Sequence, residues 1–270
     1  MSCVKTVLCA RGHYFPPPHW HPTDQLLLIL EGYIEIKISD HCYVVNEPSV
    51  AFINHLENHI FYDSSSSYYW YVIDIIPSEA GIQLADCDRL LSPFTNRTEG
   101  GSHVFPVRQI APQLQMLFHM LYTEKELDDS ETSQVSLLQA ILQFLYRNLP
   151  QAFHYIPHPL TRIVRQVQQR FDSNPCDDST LAQLAEEFHL SVSHLTHTFK
   201  LSTGYSIGQY RLLCRISHAK QLLNNTETPI SDVCSQCGFA DPSNFSRYFR
   251  EEVGCSPSAY RKQRVRVSEE

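Results

Sequence analysis

The spacing of apolar and polar positions divides the chain. Over residues 1–106 the apolar runs are short. Leu26–Leu30, Tyr33–Ile38, Tyr43–Val45, Val50–Ile53 and Tyr68–Ile76 are rich in β-branched and aromatic residues, and Gly, Pro, Asn, Asp and Ser separate them. The stretch Tyr33-Ile34-Glu35-Ile36-Lys37-Ile38 alternates with a period of two, as a half-buried strand does. Many short strands at close spacing predict a small barrel or jelly roll. From 107 to 149 the period lengthens to that of a helix. Ile110, Leu114, Leu117 and Leu121 form one stripe and Val135, Leu138, Ile141, Leu142 and Leu145 another, with the polar stretch Glu124 to Ser133 between them. This predicts an antiparallel helix pair. Its stripes suit packing on the barrel, a dimer interface, or both on different faces, and periodicity does not choose.

Residues 150–159 hold three prolines without a period and read as a linker. Beyond Leu160 the helix boundaries are explicit. Thr180 and Gln183 form a capping box ahead of Leu181, Leu184, Ala185 and Phe188. After His189-Leu190, Ser191 starts a second helix that turns Leu195 and Phe199 inward, giving a helix-turn-helix. Ser206 and Gln209 repeat the box before a long helix carrying Ile207, Tyr210, Leu213, Ile216, Ala219, Leu222 and Leu223 on one side. Thr228-Pro229 predicts a helix start, Gly238 its end, and Asp241-Pro242 a further start before Phe245, Phe249 and Val253. Gly254 closes that helix and Ser256-Pro257 opens a last turn. The same unit thus occurs at 180–201 and again at 229–253, joined by the helix 206–224. Two heads on one rigid helix can enter successive major grooves about 34 Å apart.

Charge sharpens this division. The chain of 270 residues carries a formal net charge of −8. Residues 1–159 hold 8 Lys and Arg against 17 Asp and Glu, a net of −9, whereas residues 160–270 hold 13 against 12, a net of +1. The acidic part repels phosphate, so a nucleic-acid surface belongs to the later part and rests on a few placed cations. A constitutive architectural binder would be strongly basic, which disfavours that class. The hydrophobic fraction of 43% suits roughly two globular domains, and the sequence shows neither a membrane-length apolar run nor a signal peptide. Nine scattered cysteines point to reduced thiols and a cytoplasmic location.

The spaced set Leu181-Ala182-Gln183-Leu184-Ala185, Ser191–Lys200, Ala219–Leu223, Val233 with Gly238-Phe239, Phe245–Arg250, Gly254 and Ser256–Arg261 resembles the DNA-binding domain of AraC/XylS-type regulators over about 100 residues. The resemblance implies an α+β multidomain regulator. Residues 1–106 would be a cupin-like effector-sensing barrel, 107–149 a helix pair and 160–266 the all-α DNA-binding domain. It implies transcriptional control, usually activation, through double-stranded DNA and RNA polymerase. Carried over by position, Ser193, Thr196 and His197 would meet DNA from the first head and Pro242, Ser243, Ser246 and Arg247 from the second. Arg247 can make a bidentate guanine contact, while His197 stands where the family usually has Arg. Lys200, Arg250 and Arg261 read as phosphate positioners.

In the first part, His19-Trp20-His21, Gln25, Gly32 and the later His59 resemble the metal-ligand pattern of cupins, with Gln25 in place of its carboxylate. Three readings stay open for these residues. They can be packing residues, they can line a pocket for a small-molecule effector such as a sugar, or they can hold a metal on neutral ligands. A cupin metalloenzyme is the rival class, and the lost carboxylate and the complete pair of heads count against it. The expectation is a non-enzymatic regulator with no cofactor, working as a homodimer away from membranes. Cys234-Ser-Gln-Cys237 has CxxC spacing but lies within a short helix, where packing is the expected role.

Overall fold

The computed structural model describes residues 2–12, 23–57, 59–62, 68–95, 101–127, 131–153 and 160–267. The chain forms two compact units, the first running to Arg162 and the second built from most of the residues from 163 onward.

The first unit is built on two antiparallel sheets. β1 (Val4–Gly12), β7 (Tyr68–Ile75), β2 (Asp24–Glu31), β5 (Ser49–Ile53) and β8 (Val104–Pro106) form one, in that order. β4 (His41–Val45), β3 (Ile34–Ile38) and β6 (His59–Tyr62) form the other. The period of two assigns the faces. On β2, Leu27 and Ile29 join Ile34, Ile36, Ile38, Phe61, Trp70 and Val72 in the core between the sheets. Leu26 and Leu28 point the other way, into a second core with Phe52, Tyr71 and Ile73. This strand is apolar on both faces because both faces are covered.

Two helices cover the outer face, α4 (Ala111–Leu127) and α5 (Glu131–Asn148). Leu114, Phe118 and Leu121 meet Leu138, Ile141, Leu142 and Leu145 there, all fully buried. Lys125 Nζ ties α4 to β1 through the Val4 carbonyl at 3.2 Å and reaches Gln134 Oε1 on α5 at 3.3 Å. The two stripes therefore pack on the sheet. A different line of α4, with Met116, Met120 and Leu127, is exposed.

The reading of 1–106 as β needs correction over Pro77–Thr95. Three short helices stand there, α1 (Pro77–Gln83), α2 (Cys87–Leu90) and α3 (Ser92–Thr95). Pro77 sits in the first turn of α1, where its missing N–H costs no bond. Strands β1, β6 and β8 also escape the pattern. A register shift between Val4 and Thr6 breaks the alternation of β1, and the other two span four and three residues. In the presumed linker, Pro150–Ala152 forms a 3-10 turn whose Ala152 is buried beside Phe153; residues 154–159 lie outside the described residues.

The second unit is helical: α6 (Thr161–Ser173), α7 (Leu181–Glu187), α8 (Val192–Thr203), α9 (Ile207–Asn225), α10 (Ile230–Gln236), α11 (Pro242–Val253) and α12 (Pro257–Val267). Both capping boxes form, Thr180 with Gln183 and Ser206 with Gln209. Asp241 caps α11 by accepting from Ser243 N and Asn244 N. The start at Thr228-Pro229 is shifted by one residue: Pro229 itself is the N-cap, with no side-chain bond, because it lacks an oxygen to offer. The last turn is an eleven-residue helix, α12.

Candidate nucleic-acid interface and effector site

The two heads share one register. α7 and α8 correspond to α10 and α11, with one residue more in the second turn. Each first helix ends on a left-handed residue, His189 (φ 53°) in one head and Gly238 (φ 72°) in the other. The bonds from Leu190 N to the Ala185 carbonyl and from Phe239 N to the Cys234 carbonyl close the two turns alike. Gly238 has a second reason to be glycine, since a Cβ there would meet the Arg215 guanidinium at 3.2 Å. Leu195 and Phe199 of α8 and Phe245 and Phe249 of α11 are buried anchors. In the first head Phe199 stands edge-on to Tyr210, whose hydroxyl donates to Asp172 at 2.9 Å. In the second, Phe249 meets Tyr260 in the same way.

Those anchors decide what faces outward. On α8, Ser193, His197 and Lys200 are exposed and Thr196 is half-buried; on α11, Pro242, Ser243, Arg247 and Arg250 are exposed and Ser246 is half-buried. Thr196 Oγ1 donates back to the Val192 carbonyl at 2.9 Å, so it faces any partner as an acceptor. Arg247 Nη1 donates to Glu251 Oε1 at 3.1 Å, and its guanidinium lies 4.1 Å from the Tyr248 ring centre. Sequence reasoning passed over His194 and Asn244, which occupy one shared position of the repeat and are exposed. The signal available was the register itself: each lies one residue before an anchor. Arg261 needs correction. Its Nη2 donates to the Thr228 carbonyl at 2.6 Å, and this bond holds the α9–α10 connection instead of leaving the guanidinium for phosphate.

A polar hub secures the first head. Arg170 donates to Asp177, Glu187 and Ser179. Burial alone would raise the Asp177 carboxyl, but hydrogen bonds from Ser179 and Arg170 outweigh it and bring its pKa down to about 2. Lys220 of α9 is buried, and burial pushes its ammonium down to about 8 against the opposing pull of Glu252 and Cys255.

In the first unit, Gln25 and His59 are both buried. Gln25 lies on the β2 face that carries Leu27 and Ile29, and His59 on the β6 face that carries Phe61, so both belong to the space between the sheets. His19 and His21 lie outside the described residues. Gln25 Nε2 donates to Asp74 Oδ1, its cross-strand partner on β7, at 2.8 Å. A carboxylate therefore stands beside Gln25, on the neighbouring strand. Alternation from Trp70 and Val72 to Asp74 was the signal for it. A second chain runs from half-buried Tyr43, whose Oη lies 2.6 Å from His103 Nδ1, to buried Glu57, whose Oε1 lies 2.9 Å from His103 Nε2. Among the described residues no group of three or more His, Cys, Asp or Glu is placed to hold a metal ion. Cys234 and Cys237 are buried in the second head's core with Val233, Phe245 and Phe249. No helix among the described residues is long and apolar enough to cross a membrane.

Two helix-turn-helix heads on one connecting helix, each presenting polar side chains from its second helix, define a sequence-specific DNA-binding regulator. Residues 184–263 match the family model described as a helix-turn-helix domain, and residues 6–143 match the AraC-like ligand binding domain. The chain belongs to the AraC family of transcription regulators. It is 28% identical over 256 residues to the HTH-type transcriptional activator RhaR of Yersinia pestis (strain Angola), spanning 92% of this chain and 85% of that one. It is 35% identical over 133 residues to the arabinose operon regulatory protein of Escherichia coli K12, which is 49% of this chain and 44% of that one. The solved structure of ToxT from Vibrio cholerae O395 shares the fold with a TM-score of 0.59 and 16% identity, over 95% of this chain and 96% of that one.

Proposed function

We propose that this regulator activates transcription from a bipartite operator when a small organic molecule occupies the space between its two sheets. The observation that carries the DNA part is the shared register of α8 and α11, with the same buried anchors and matching exposed positions. In this reading Ser193, Thr196, His197 and His194 read one box, and Pro242, Ser243, Ser246, Arg247 and Asn244 read the other. Lys200 and Arg250 hold the phosphates. Gln25, Asp74 and His59 are the polar groups of an otherwise apolar effector site. A sugar is the effector class we favour, in keeping with the arabinose operon relative. The exposed line Met116, Met120 and Leu127 suits a homodimer contact. Action on RNA polymerase and a cytoplasmic setting complete the proposal, with 150–159 as the joint between the sensing and reading domains.

The test is selection of the full chain on a randomised duplex library, with and without candidate sugars, followed by sequencing. Two short boxes one helical turn apart support the reading. A single enriched box means that one head positions without reading. Identical enrichment with every compound counts against an effector of that class, since a ligand acts only through a difference in affinity for two states.

A further inference from the structure

The second unit holds five cysteines, and two of them lie on adjoining segments. Cys176 lies between α6 and α7 and is half-buried. Its Sγ donates to the Gln236 carbonyl at 2.7 Å. That carbonyl is bonded to the nitrogen of Cys237, so by standard peptide dimensions the Cys176 sulfur lies within roughly 5–6 Å of the Cys237 Cα. A disulfide brings the two sulfurs to about 2.05 Å, so closure needs side-chain rotation at both cysteines and a small approach of the two segments. Arg215 pins the segments that carry them. Its Nε donates to the Pro175 carbonyl at 3.1 Å, its guanidinium lies 5.8 Å from the Phe239 ring centre, and its charge acts on both thiols. The CxxC neighbour is turned elsewhere: Cys234 Sγ donates to the Phe239 carbonyl at 3.5 Å from within the core.

We propose that Cys176 and Cys237 are a thiol modification site that closes to a disulfide under peroxides and so links the two heads covalently. Cys176, the accessible member, attacks first. An S–O bond forms, the peroxide O–O bond breaks, and the departing hydroxide leaves as water with the thiol proton, giving a sulfenic acid. Cys237 then resolves it. Its sulfur forms the S–S bond, the S–O bond breaks, and the Cys237 proton leaves with the oxygen as a second water. Two thiols and one peroxide yield one disulfide and two waters. Burial pushes the Cys237 thiol up to about 12, reinforced by the Cys176 and Cys234 thiols and opposed by Arg215, so it does not react with peroxide itself and its step follows only once Cys176 is oxidised. The bond closes a ring containing α7, α8, α9 and α10, and the segment entering the first head becomes attached to the first helix of the second.

The test treats the full chain with a modest excess of hydrogen peroxide, alkylates it, digests it without reductant and maps it by mass spectrometry. The expected result is two of the nine thiols lost reversibly to dithiothreitol, with peptide 171–200 joined to 221–247. The link persists in C234S and disappears in C237S. In C176S, a surface change that spares the core, it also disappears. Over-oxidation of Cys176 without the joined peptide overturns the proposal, as does a link that survives in C237S or fails in C234S.

Discussion

Arg247 and Glu251 face each other one turn apart on α11, with Nη1 and Oε1 at 3.1 Å, and both side chains are about half exposed. The residue best suited to a guanine edge is thus held by a carboxylate of its own helix. An exposed pair of this kind adds little to stability. Its effect belongs to binding, where DNA must win the guanidinium from Glu251 and bring a phosphate-repelling charge close.

Replacing that carboxylate should therefore strengthen binding. E251Q is expected to raise affinity severalfold on operator and random duplex alike, with the melting temperature nearly unchanged. R247A is expected to lose about tenfold to a hundredfold on operator DNA and much less on random DNA. Anisotropy titrations at one fixed salt concentration check both. Weaker binding by E251Q would mean that Glu251 orients Arg247 instead of competing for it.

Lys200 and Asn244 separate positioning from reading. K200A should weaken all duplexes alike and lower the slope of log affinity against log salt by about one. N244A should leave the slope unchanged and relax the preference at one base pair, with adenine the base best matched to an amide. Titrations over a salt series against single-base operator variants distinguish them.

Lys220 makes the second unit sensitive to alkaline pH. Its folded pKa of about 8 lies below the value of 10.5 for an unburied lysine. Between those values the unfolded chain binds a proton that the folded chain does not, so this group's contribution to stability rises with pH over that window. Below about pH 8 the buried charge is a cost. K220M should remove the rise over that window. Urea unfolding from pH 7 to 10.5 measures it, and parallel curves for both proteins would show that burial does not disfavour the charged form.

The left-handed residues give a paired prediction. G238A adds a Cβ at φ 72° and 3.2 Å from Arg215, and should destabilise by about 1–3 kcal/mol. At His189, φ 53°, the glycine variant should be more stable than the alanine variant by about 1 kcal/mol. Thermal denaturation of the three variants decides it.

The second unit was legible in the sequence because its signals are local. Thr180 and Gln183, Ser206 and Gln209, and Asp241 with Pro242 mark helix starts within four residues, and large apolar residues one turn apart, Leu195 with Phe199 and Phe245 with Phe249, mark the inward faces. The first unit depends on partners far apart in sequence. Asp74 meets Gln25 across 49 positions, and His103 meets Glu57 across 46. No short pattern announces such pairs. The helix stripes named the faces of α4 and α5 that pack on the sheet, but periodicity could not see the additional exposed line through Met116 and Met120. Arg261 misled for the opposite reason, since a cation near the end of a DNA-binding domain looks like a phosphate ligand until its carbonyl partner is known.

The common register of α8 and α11 has a consequence for ancestry and for engineering. Because equal scaffolds display residues 193, 194, 196, 197 and 200 and residues 243, 244, 246, 247 and 250, the reading faces are interchangeable cassettes. Grafting the second set onto the first helix would give a chain that seeks a direct repeat of one half-site. Natural drift at ten surface positions can retarget such a regulator while the core beneath stays untouched.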